Sequence, residues 1–100
     1  MRCNYTVGHL GFEWDAKKAE RNAKKHGTRF EEAATAFLDP MGRLIADPDH
    51  SVGEHRFLLL GLSARERLLV IAHVYRGEGE AIRLISARRA TPRERSDYGH

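Results

Sequence analysis

Basic side chains interrupt the apolar segments in the second half of the chain. Arg56, Arg83 and Arg88 lie in or at the ends of strand-like segments, His73 lies in the most apolar one, and Glu54 precedes Arg56. Metal-free cleavage of RNA requires a base for the 2′-hydroxyl, a cation for the charge that develops on phosphorus, and an acid for the leaving oxygen. The arginines suit the phosphate because their planar guanidinium offers paired donors. His73 or Glu54 suits the acid–base role.

Each of these residues also has a purely structural explanation. A histidine in an apolar strand is commonly a hydrogen-bonded core residue. Glu54 and Arg56 lie two residues apart on one strand face, where an ion pair accounts for both. Arg83 can belong to a salt bridge or extend its aliphatic stem over apolar surface. The residue types therefore allow catalysis without requiring it.

Positive charge is concentrated in residues 15–26 and 82–95, although the net charge is only +3. These segments contain Lys17, Lys18, Arg21, Lys24, Lys25, Arg83, Arg88, Arg89, Arg93 and Arg95. If the fold brings them together, they form a patch that attracts phosphates; otherwise they are two solvated faces. The candidate RNA-binding residues are Lys25, His26, Arg89 and Arg93. A helix dipole that favours cations near His26 is the structural alternative for the first two.

No metal site or cofactor is predicted. Asp47, Asp49 and His50 resemble a cluster for a hard metal ion, but turn formation explains their spacing better. A metal-dependent hydrolase built on them is therefore the weakest reading, and it would lose activity in chelator. Cys3 is the only cysteine, which excludes a disulfide framework and a zinc site built on cysteines. Gly-rich phosphate loops, nucleophile elbows and HExxH motifs are absent from the sequence.

Length and composition indicate a small folded protein. The chain has 100 residues, 41% hydrophobic and 31% charged, which fits one globular domain. No segment approaches the about 18 apolar residues of a membrane span, and a signal-peptide pattern is missing, so we expect a cytoplasmic protein. Residues 1–11 show no clear period and are expected to be a flexible extension. Residues 12–100 are then the single domain.

Two helices are predicted near the N-terminus. After a short alternating strand at residues 12–14, Asp15 can cap a basic helix that runs to about His26, where Gly27 supplies the stop. Thr28 and Glu31 match a capping box for a second helix, which the Asp39-Pro40 pair ends. Its apolar positions follow helical spacing: Phe30, Ala33, Ala34, Phe37 and Leu38.

After Pro40 the pattern becomes that of strands. They are predicted at residues 43–46, 56–62, 67–75 and 81–87, with a turn at residues 47–51. Short connections between consecutive strands predict an antiparallel meander. Thr91, Pro92 and Glu94 predict a short C-terminal helix with a capping box. The fold class is therefore α+β, with two N-terminal helices on one face of the sheet. The register of the last hairpin stays open by one residue, which places His73 beside Arg83 or Ser86.

A series of short motifs runs in order through nearly the whole chain. The first half contains Phe12-Glu13-Trp14-Asp15, Lys25-His26-Gly27, Phe30-Glu31-Glu32-Ala33 and Phe37-Leu38-Asp39-Pro40. The second half contains Asp47-Pro48-Asp49-His50, Gly53-Glu54-His55-Arg56-Phe57, Leu60-Gly61, Ile85-Ser86-Ala87-Arg88-Arg89-Ala90-Thr91 and Arg93-Glu94-Arg95. In these motifs and their order the chain resembles the BrnT family of ribonuclease toxins.

The resemblance implies a RelE-like fold with the RNA site on the sheet face opposite the helices. It implies a toxin of a type II toxin–antitoxin system that cleaves RNA and inhibits translation. The partner would be similar to BrnA, a small ribbon-helix-helix protein encoded beside the toxin. Two toxins and two antitoxins commonly form one complex, which contacts operator DNA through the antitoxin. Carried onto this chain, the implied active-site residues are Arg56, Arg83 and Arg88, followed by Glu54, His73, Lys25 and His26.

A function of a different class stays open beside this one. A non-catalytic member of the family would bind RNA or an antitoxin through its basic face and release no product. Such binding would weaken steeply as salt rises.

Overall fold

The computed structural model describes residues 1–50 and 53–99. Ser51, the end of the predicted turn, and His100, the end of the predicted domain, lie outside these ranges. The strands are β1 (Arg2–Val7), β2 (Leu10–Asp15), β3 (Arg43–Ala46), β4 (Arg56–Leu62), β5 (Leu68–Arg76) and β6 (Ala81–Arg89). The helices are α1 (Ala16–His26), α2 (Phe30–Thr35) and α3 (Pro92–Ser96), with 3₁₀ turns at Ala36–Leu38 and Pro48–His50. Within the described ranges, every helix is too short or too polar to span a membrane.

One sheet contains these strands in the order β1-β2-β6-β5-β4-β3. Each consecutive pair from β3 to β6 is antiparallel, which confirms the predicted meander and the α+β class. One pairing differs from a purely antiparallel sheet: β2 runs parallel to β6, with Phe12 opposite Ile82 and Glu13 opposite Arg83. This pairing joins strands that are far apart in the sequence, so no turn or local period indicates it.

The N-terminal strand occupies most of the segment for which a flexible extension is predicted. β1 pairs with β2 through a two-residue turn at Gly8 and His9, and Gly8 has the positive φ (+59°) that such turns favour. Cys3 and Val7 pack against the core, whereas the other residues of β1 are exposed. Because the strand buries so little apolar surface, it shows no clear alternating pattern in the sequence.

The first predicted helix is confirmed, and the start of the second is corrected. Asp15 accepts a hydrogen bond from the backbone N–H of Lys18, and Gly27 ends α1 with a left-handed φ of +66°. The predicted capping box at Thr28 is wrong, because α2 begins at Phe30 and its N-cap makes no side-chain hydrogen bond. Thr28 is instead fully buried, and its hydroxyl donates to the carbonyl of His26.

The central strand β5 separates two apolar clusters. Leu69 and Ile71 point toward α1 and α2 and pack with Trp14 and Phe30. Their neighbours Leu68 and Val70 point the other way and join a smaller cluster, whose other members are Leu60, Leu58, Ala90 and Tyr98. We call the side covered by α1 and α2 the helix face and the opposite side the open face. The residues around α3 cover only one end of the open face.

A bulge sets the register between β5 and β6. The irregularity lies at Ala72 and His73, so that Ala72 faces Ser86 while His73 faces Leu84. Neither predicted neighbour of His73 is therefore correct. An extra residue in one strand changes which side chains lie opposite each other, and the hydrophobic pattern of β6 does not locate such a residue.

Candidate nucleic-acid interface

A row of side chains crosses four strands on the open face. Arg56 of β4 lies opposite Val74 of β5, and Val74 lies opposite Arg83 of β6. Glu13 of β2 comes next in the row, beside Arg83. Because neighbouring strands are about 4.8 Å apart, the Cα atoms of Arg56 and Arg83 are about 10 Å apart. Two of the predicted phosphate-binding arginines are thus brought together across one apolar residue.

Arg83 contacts a carboxylate that sequence reasoning did not select. Its Nη1 lies 3.2 Å from Oε2 of Glu13, and Nε of Arg2 lies 3.4 Å from the same oxygen. The side chains of Arg83 and Glu13 are 22% and 12% exposed, so the ion pair offsets the cost of partial burial. The available signal for Glu13 was its polar side chain in an alternating strand. The sequence does not indicate that Glu13 lies beside Arg83, because the two residues meet through the parallel pairing of β2 with β6.

Arg88 lies on the open face but apart from this row. It faces Val70, four residues along β5 from Val74, which corresponds to about 13 Å. Its Nη1 and Nη2 each lie 2.8 Å from an oxygen of Glu94 in α3. These hydrogen bonds lower the pKa of Glu94 to about 2 and raise the pKa of Arg88. The structure therefore joins Arg88 to α3 and does not place it beside Arg83.

Glu54 lies near the other end of the row. Its Oε2 is 3.2 Å from Nη1 of Arg76, and both side chains are about half exposed. Arg76 follows Val74 by two residues on β5 and so shares the open face. Glu54 and Arg76 therefore form an exposed ion pair on the side of the row where Arg56 lies. The structural alternative pairs Glu54 with Arg56, and the structure shows Glu54 in an ion pair with Arg76.

His73 is separated from the arginines by the sheet itself. It is fully buried on the helix face, where its ring contacts those of Phe37, Phe57 and Tyr75. Nδ1 lies 3.0 Å from the carbonyl oxygen of Ile71, and burial lowers the pKa of the imidazole below its usual value. This is the hydrogen-bonded core histidine of the structural alternative, and it does not face the surface that carries Arg83.

Lys25 and His26 lie on a basic stripe along the edge of β6. One side of α1 carries Lys18, Arg21, Lys25 and His26, and with Ile85 and Ser86 these residues line a shallow groove of about 200 Å³. Asn22 fixes this side of the helix, because its side chain exchanges two hydrogen bonds with the backbone of Ala87, at 2.8 and 3.0 Å. The two basic segments of the sequence are therefore adjacent in space. From the sequence, Lys18 and Arg21 were only members of a basic segment and Asn22 was not a candidate, although their spacing on one helix side was available.

The remaining predicted RNA-binding residues lie at the far end of β6. Arg89 is the last residue of that strand, and Arg93 lies on α3; both are exposed. The capping box predicted for α3 is confirmed, since the Thr91 hydroxyl accepts from the Glu94 N–H and the Glu94 carboxylate accepts from the Thr91 N–H. Arg89 and Arg93 therefore extend the positive surface from Arg88 toward the C-terminus.

The acidic turn at Asp47 has an internal partner. Nδ1 of His50 lies 3.0 Å from Oδ2 of Asp47. Across residues 1–50 and 53–99, no three His, Cys, Asp or Glu side chains are grouped so that they could hold a metal ion. The turn thus forms through its own hydrogen bond.

Comparison with known proteins identifies a family model and a similar solved structure. A family model described as ribonuclease toxin, BrnT, of type II toxin-antitoxin system matches residues 14–94. The crystal structure of the ribonuclease toxin BrnT of Brucella abortus, at 1.1 Å resolution, is similar to the chain with a TM-score of 0.61 and 21% identity. That match covers 78% of this chain and 92% of the Brucella chain. No curated protein sequence matches the chain.

Proposed function

The chain belongs to the BrnT family of ribonuclease toxins of type II toxin–antitoxin systems, and on that premise we propose that it is a metal-independent endoribonuclease that inhibits translation. The observation that carries this proposal is the row on the open face in which Arg56 and Arg83 flank Val74. Two guanidinium groups at this spacing, on an accessible sheet face, form a site for a phosphodiester.

Arg83 is the central residue of the proposed site. Arginine has five N–H donors, and the contact with Glu13 engages Nη1. The remaining donors bind the non-bridging oxygens of the scissile phosphate and stabilise the charge that develops in the transition state. Glu13 fixes the direction of the guanidinium, and Arg56 approaches the same phosphate from the opposite side of Val74.

Glu54 is the proposed acid–base residue. Its carboxylate is exposed and lies on the side of the row where Arg56 and Arg76 are found. In this role it takes the proton from the 2′-hydroxyl, whose oxygen bonds to phosphorus as the bond between phosphorus and the 5′-oxygen breaks. The carboxyl group then gives this proton to the leaving 5′-oxygen. His73 is not assigned this role, because its buried imidazole faces the other side of the sheet.

The RNA strand is proposed to continue from the row along the basic stripe on α1. Lys25 and His26 bind phosphates beside the middle of β6. Arg88, Arg89 and Arg93 bind phosphates beyond them, at the end of β6 and on α3. These basic side chains supply affinity without reading the base sequence. In the free protein, Nη1 and Nη2 of Arg88 both donate to Glu94. Arg88 therefore binds a phosphate only when RNA displaces Glu94.

The partner of this toxin is an antitoxin, as the type II system implies. We propose that it is a BrnA-like ribbon-helix-helix protein encoded beside this chain. Two copies of each would form the complex, and operator DNA would be contacted through the antitoxin. The complex would act in the cytoplasm, where both RNA and operator DNA are present.

The direct test is incubation of a defined single-stranded RNA with purified protein in excess EDTA. We expect discrete shorter products on a denaturing gel. If the RNA stays intact, the same assay with translating ribosomes decides between a ribosome-dependent nuclease and a protein without activity. Cleavage that appears only when a divalent metal is added would contradict the metal-independent mechanism.

One observation favours a non-catalytic RNA- or antitoxin-binding protein as the second candidate. Both Arg83 and Arg88 form ion pairs with carboxylates, those of Glu13 and Glu94, and a structural role accounts for such pairs. This candidate predicts salt-sensitive retention of RNA with no product on the gel, with or without ribosomes.

A further inference from the structure

The edge strand β3 exposes two large aliphatic side chains, whereas β1 at the other edge exposes the less accessible aromatic side chain of Tyr5, at 37%. All residues of β3 are exposed, and Leu44 and Ile45 keep 53% and 48% of their accessible surface. Two other partly exposed apolar side chains lie nearby: Met41, just before β3, and Leu62, at the end of the neighbouring strand β4. By contrast, β1 at the opposite edge alternates through the polar residues Arg2, Asn4 and Thr6. An open apolar edge is a template for pairing with another chain.

The backbone of β3 also offers groups for pairing. The N–H of Asp47 donates to the carbonyl of Arg56 directly opposite, at 2.8 Å. Along an antiparallel ladder, every second residue forms hydrogen bonds with the partner strand, and the residues between them direct their N–H and C=O groups away from it. Ile45 and Arg43 therefore bond to β4 like Asp47, and Leu44 and Ala46 face outward. Within residues 1–50 and 53–99, no backbone group bonds to the outward side of Leu44 or Ala46.

A groove continues this edge onto the open face, and its charged lining consists of Arg43 and the carboxylates of Glu94 and Asp97, of which Glu94 is bound by Arg88. Ile45, Leu58, Leu60 and Val70 form its apolar floor, and its volume is about 220 Å³. Arg43 stands at its rim and donates to the carbonyl oxygen of Asp97 at 3.0 Å. In the described ranges no carboxylate forms an ion pair with Arg43, so an incoming carboxylate would meet a guanidinium with unused donors.

We propose that β3 is the docking edge for an extended segment of the antitoxin, which adds a seventh strand to the sheet. The proposal rests on the proposed function for the existence of that partner. Main-chain hydrogen bonds to Leu44 and Ala46 give affinity, and alternate apolar side chains of the segment fill the groove beside Ile45. An Asp or Glu of the segment pairs with Arg43, which fixes its register.

A second copy of this chain fits the same edge less well. A twofold pairing centred on Ile45 would bring Asp47 of one copy opposite Arg43 of the other. The carboxylate of Asp47 is already bound to His50 and is only 14% exposed, so Arg43 would gain no acceptor.

Amide hydrogen exchange of the full chain, alone and in complex, tests the proposal. The probe is the protein encoded beside this chain, co-expressed and purified with it. With the antitoxin about 100-fold above its Kd, exchange at Leu44 and Ala46 should slow by about 100-fold, while Asn4 and Thr6 in β1 should be unchanged. A complex in which Leu44 and Ala46 still exchange rapidly would overturn the proposal. Protection of these amides in concentrated toxin alone would overturn it in favour of self-pairing.

Paired edge variants give an independent readout. Ala46→Pro removes an outward N–H of β3 and keeps the hydrogen bonds to β4. Asn4→Pro makes the matched change on β1. The hydrogen bond from Ala16 to Met1 shows that Asn4 also directs its N–H away from the neighbouring strand. We expect Ala46→Pro to weaken antitoxin binding at least about tenfold, equivalent to about 1.4 kcal/mol, and Asn4→Pro to leave it unchanged. Arg43→Glu should weaken binding as well. Equal affinities of the two proline variants would contradict the docking edge. RNA cleavage by Ala46→Pro, measured in parallel, separates this result from a failure of the proposed function.

Discussion

Arg83 lies opposite Val74 in the sheet, and its guanidinium contacts Glu13, which also contacts Arg2. A partly buried cation in such a setting has a fixed direction and little freedom to reorganise, which is the condition for electrostatic stabilisation of a transition state. His73 was also a candidate because a polar residue interrupts an apolar strand, but the structure gives it a different role. It is a polar residue in an apolar strand, but its position on the helix face makes it part of the core.

His73 should make the stability of the protein depend on pH. Burial lowers its pKa in the folded state, so the unfolded chain binds a proton first as the pH falls. Its contribution is therefore complete above the ordinary pKa of about 6.5 and is lost below it. We expect the free energy of unfolding to fall by up to about 1.4 kcal/mol per pH unit between pH 6.5 and 5.

Urea unfolding at several pH values, with two histidine variants, checks this prediction. His73→Leu should have a flatter profile over this range. His9→Ala removes an exposed histidine and should retain the profile of the wild type. A His73→Leu profile as steep as that of the wild type would show that another group causes the dependence.

At the scale of the elements, Asn22 anchors α1 to β6. Beyond its two hydrogen bonds with Ala87, its Nδ2 donates to the carbonyl of Thr28 at 2.9 Å. β2 ends at Asp15 and does not extend along β6 as far as Ala87. The side-chain amide of Asn22 therefore satisfies the N–H and C=O of Ala87 that a neighbouring strand would otherwise bond. We expect Asn22→Leu to lower the free energy of unfolding by about 3 kcal/mol, since buried backbone groups lose their partners. The control Lys17→Ala, on exposed surface, should change it by less than about 0.5 kcal/mol. Similar unfolding midpoints for the two variants would argue against an anchoring role.

The attachment of α3 should weaken in acid. The hydrogen bonds from Arg88 lower the pKa of Glu94 from 4.5 to about 2, so the stability that this ion pair adds is complete above about pH 4.5 and is lost as the pH falls toward 2. Glu94→Gln should therefore be less stable than the wild type at pH 6, and the difference should shrink toward pH 2. Urea unfolding of both proteins measures it, with Glu78→Gln in the exposed β5–β6 turn as control. A difference that does not change with pH would rule out this ion pair as its source.

The elements divide into those that local chemistry specifies and those that it does not. The caps of α1, the capping box of α3 and the strands of the meander follow from residues close together in sequence, and all three predictions are confirmed. The start of α2, the edge strand β1 and the bulge in β6 depend on tertiary packing. Thr28, for example, has the right spacing to Glu31 for a cap, but its burial beneath α1 directs its hydroxyl elsewhere.

At the scale of the whole molecule, the parallel pairing of β2 with β6 assembles the candidate site. It brings Glu13 to Arg83, and it places α1 so that Lys25 lies beside Ile85 and Ser86. The sequence indicated which arginines were candidates and that two basic segments existed. It could not indicate that Arg83 belongs to the row with Arg56 while Arg88 belongs to α3, because this depends on pairings between distant strands and on one bulge.

The positive surface should act on RNA from one side of α1 only. Lys25 lines the groove beside β6, whereas Lys24 lies among residues on the other side of the helix, near Trp14 and Phe30. Lys25→Ala should weaken RNA binding and reduce the slope of log K against log salt by about 0.7, the value for one phosphate contact of a single strand. Lys24→Ala makes the same charge change and should leave the slope unchanged. Fluorescence anisotropy over a salt series measures both, and equal slopes would contradict the assignment of the stripe.

The central claim is that Arg83 stabilises the transition state of metal-free RNA cleavage. The most direct measurement is the cleavage rate of one defined RNA in excess EDTA by the wild type, Arg83→Ala and Arg29→Ala, each confirmed as folded by circular dichroism. Arg29 is an exposed arginine beside α2, on the helix face, so its removal controls for the loss of one charge. We predict a rate at least about 100-fold lower for Arg83→Ala, the effect of removing one positioned electrostatic group, and an unchanged rate for Arg29→Ala. A folded Arg83→Ala protein that cleaves at the wild-type rate would contradict the account.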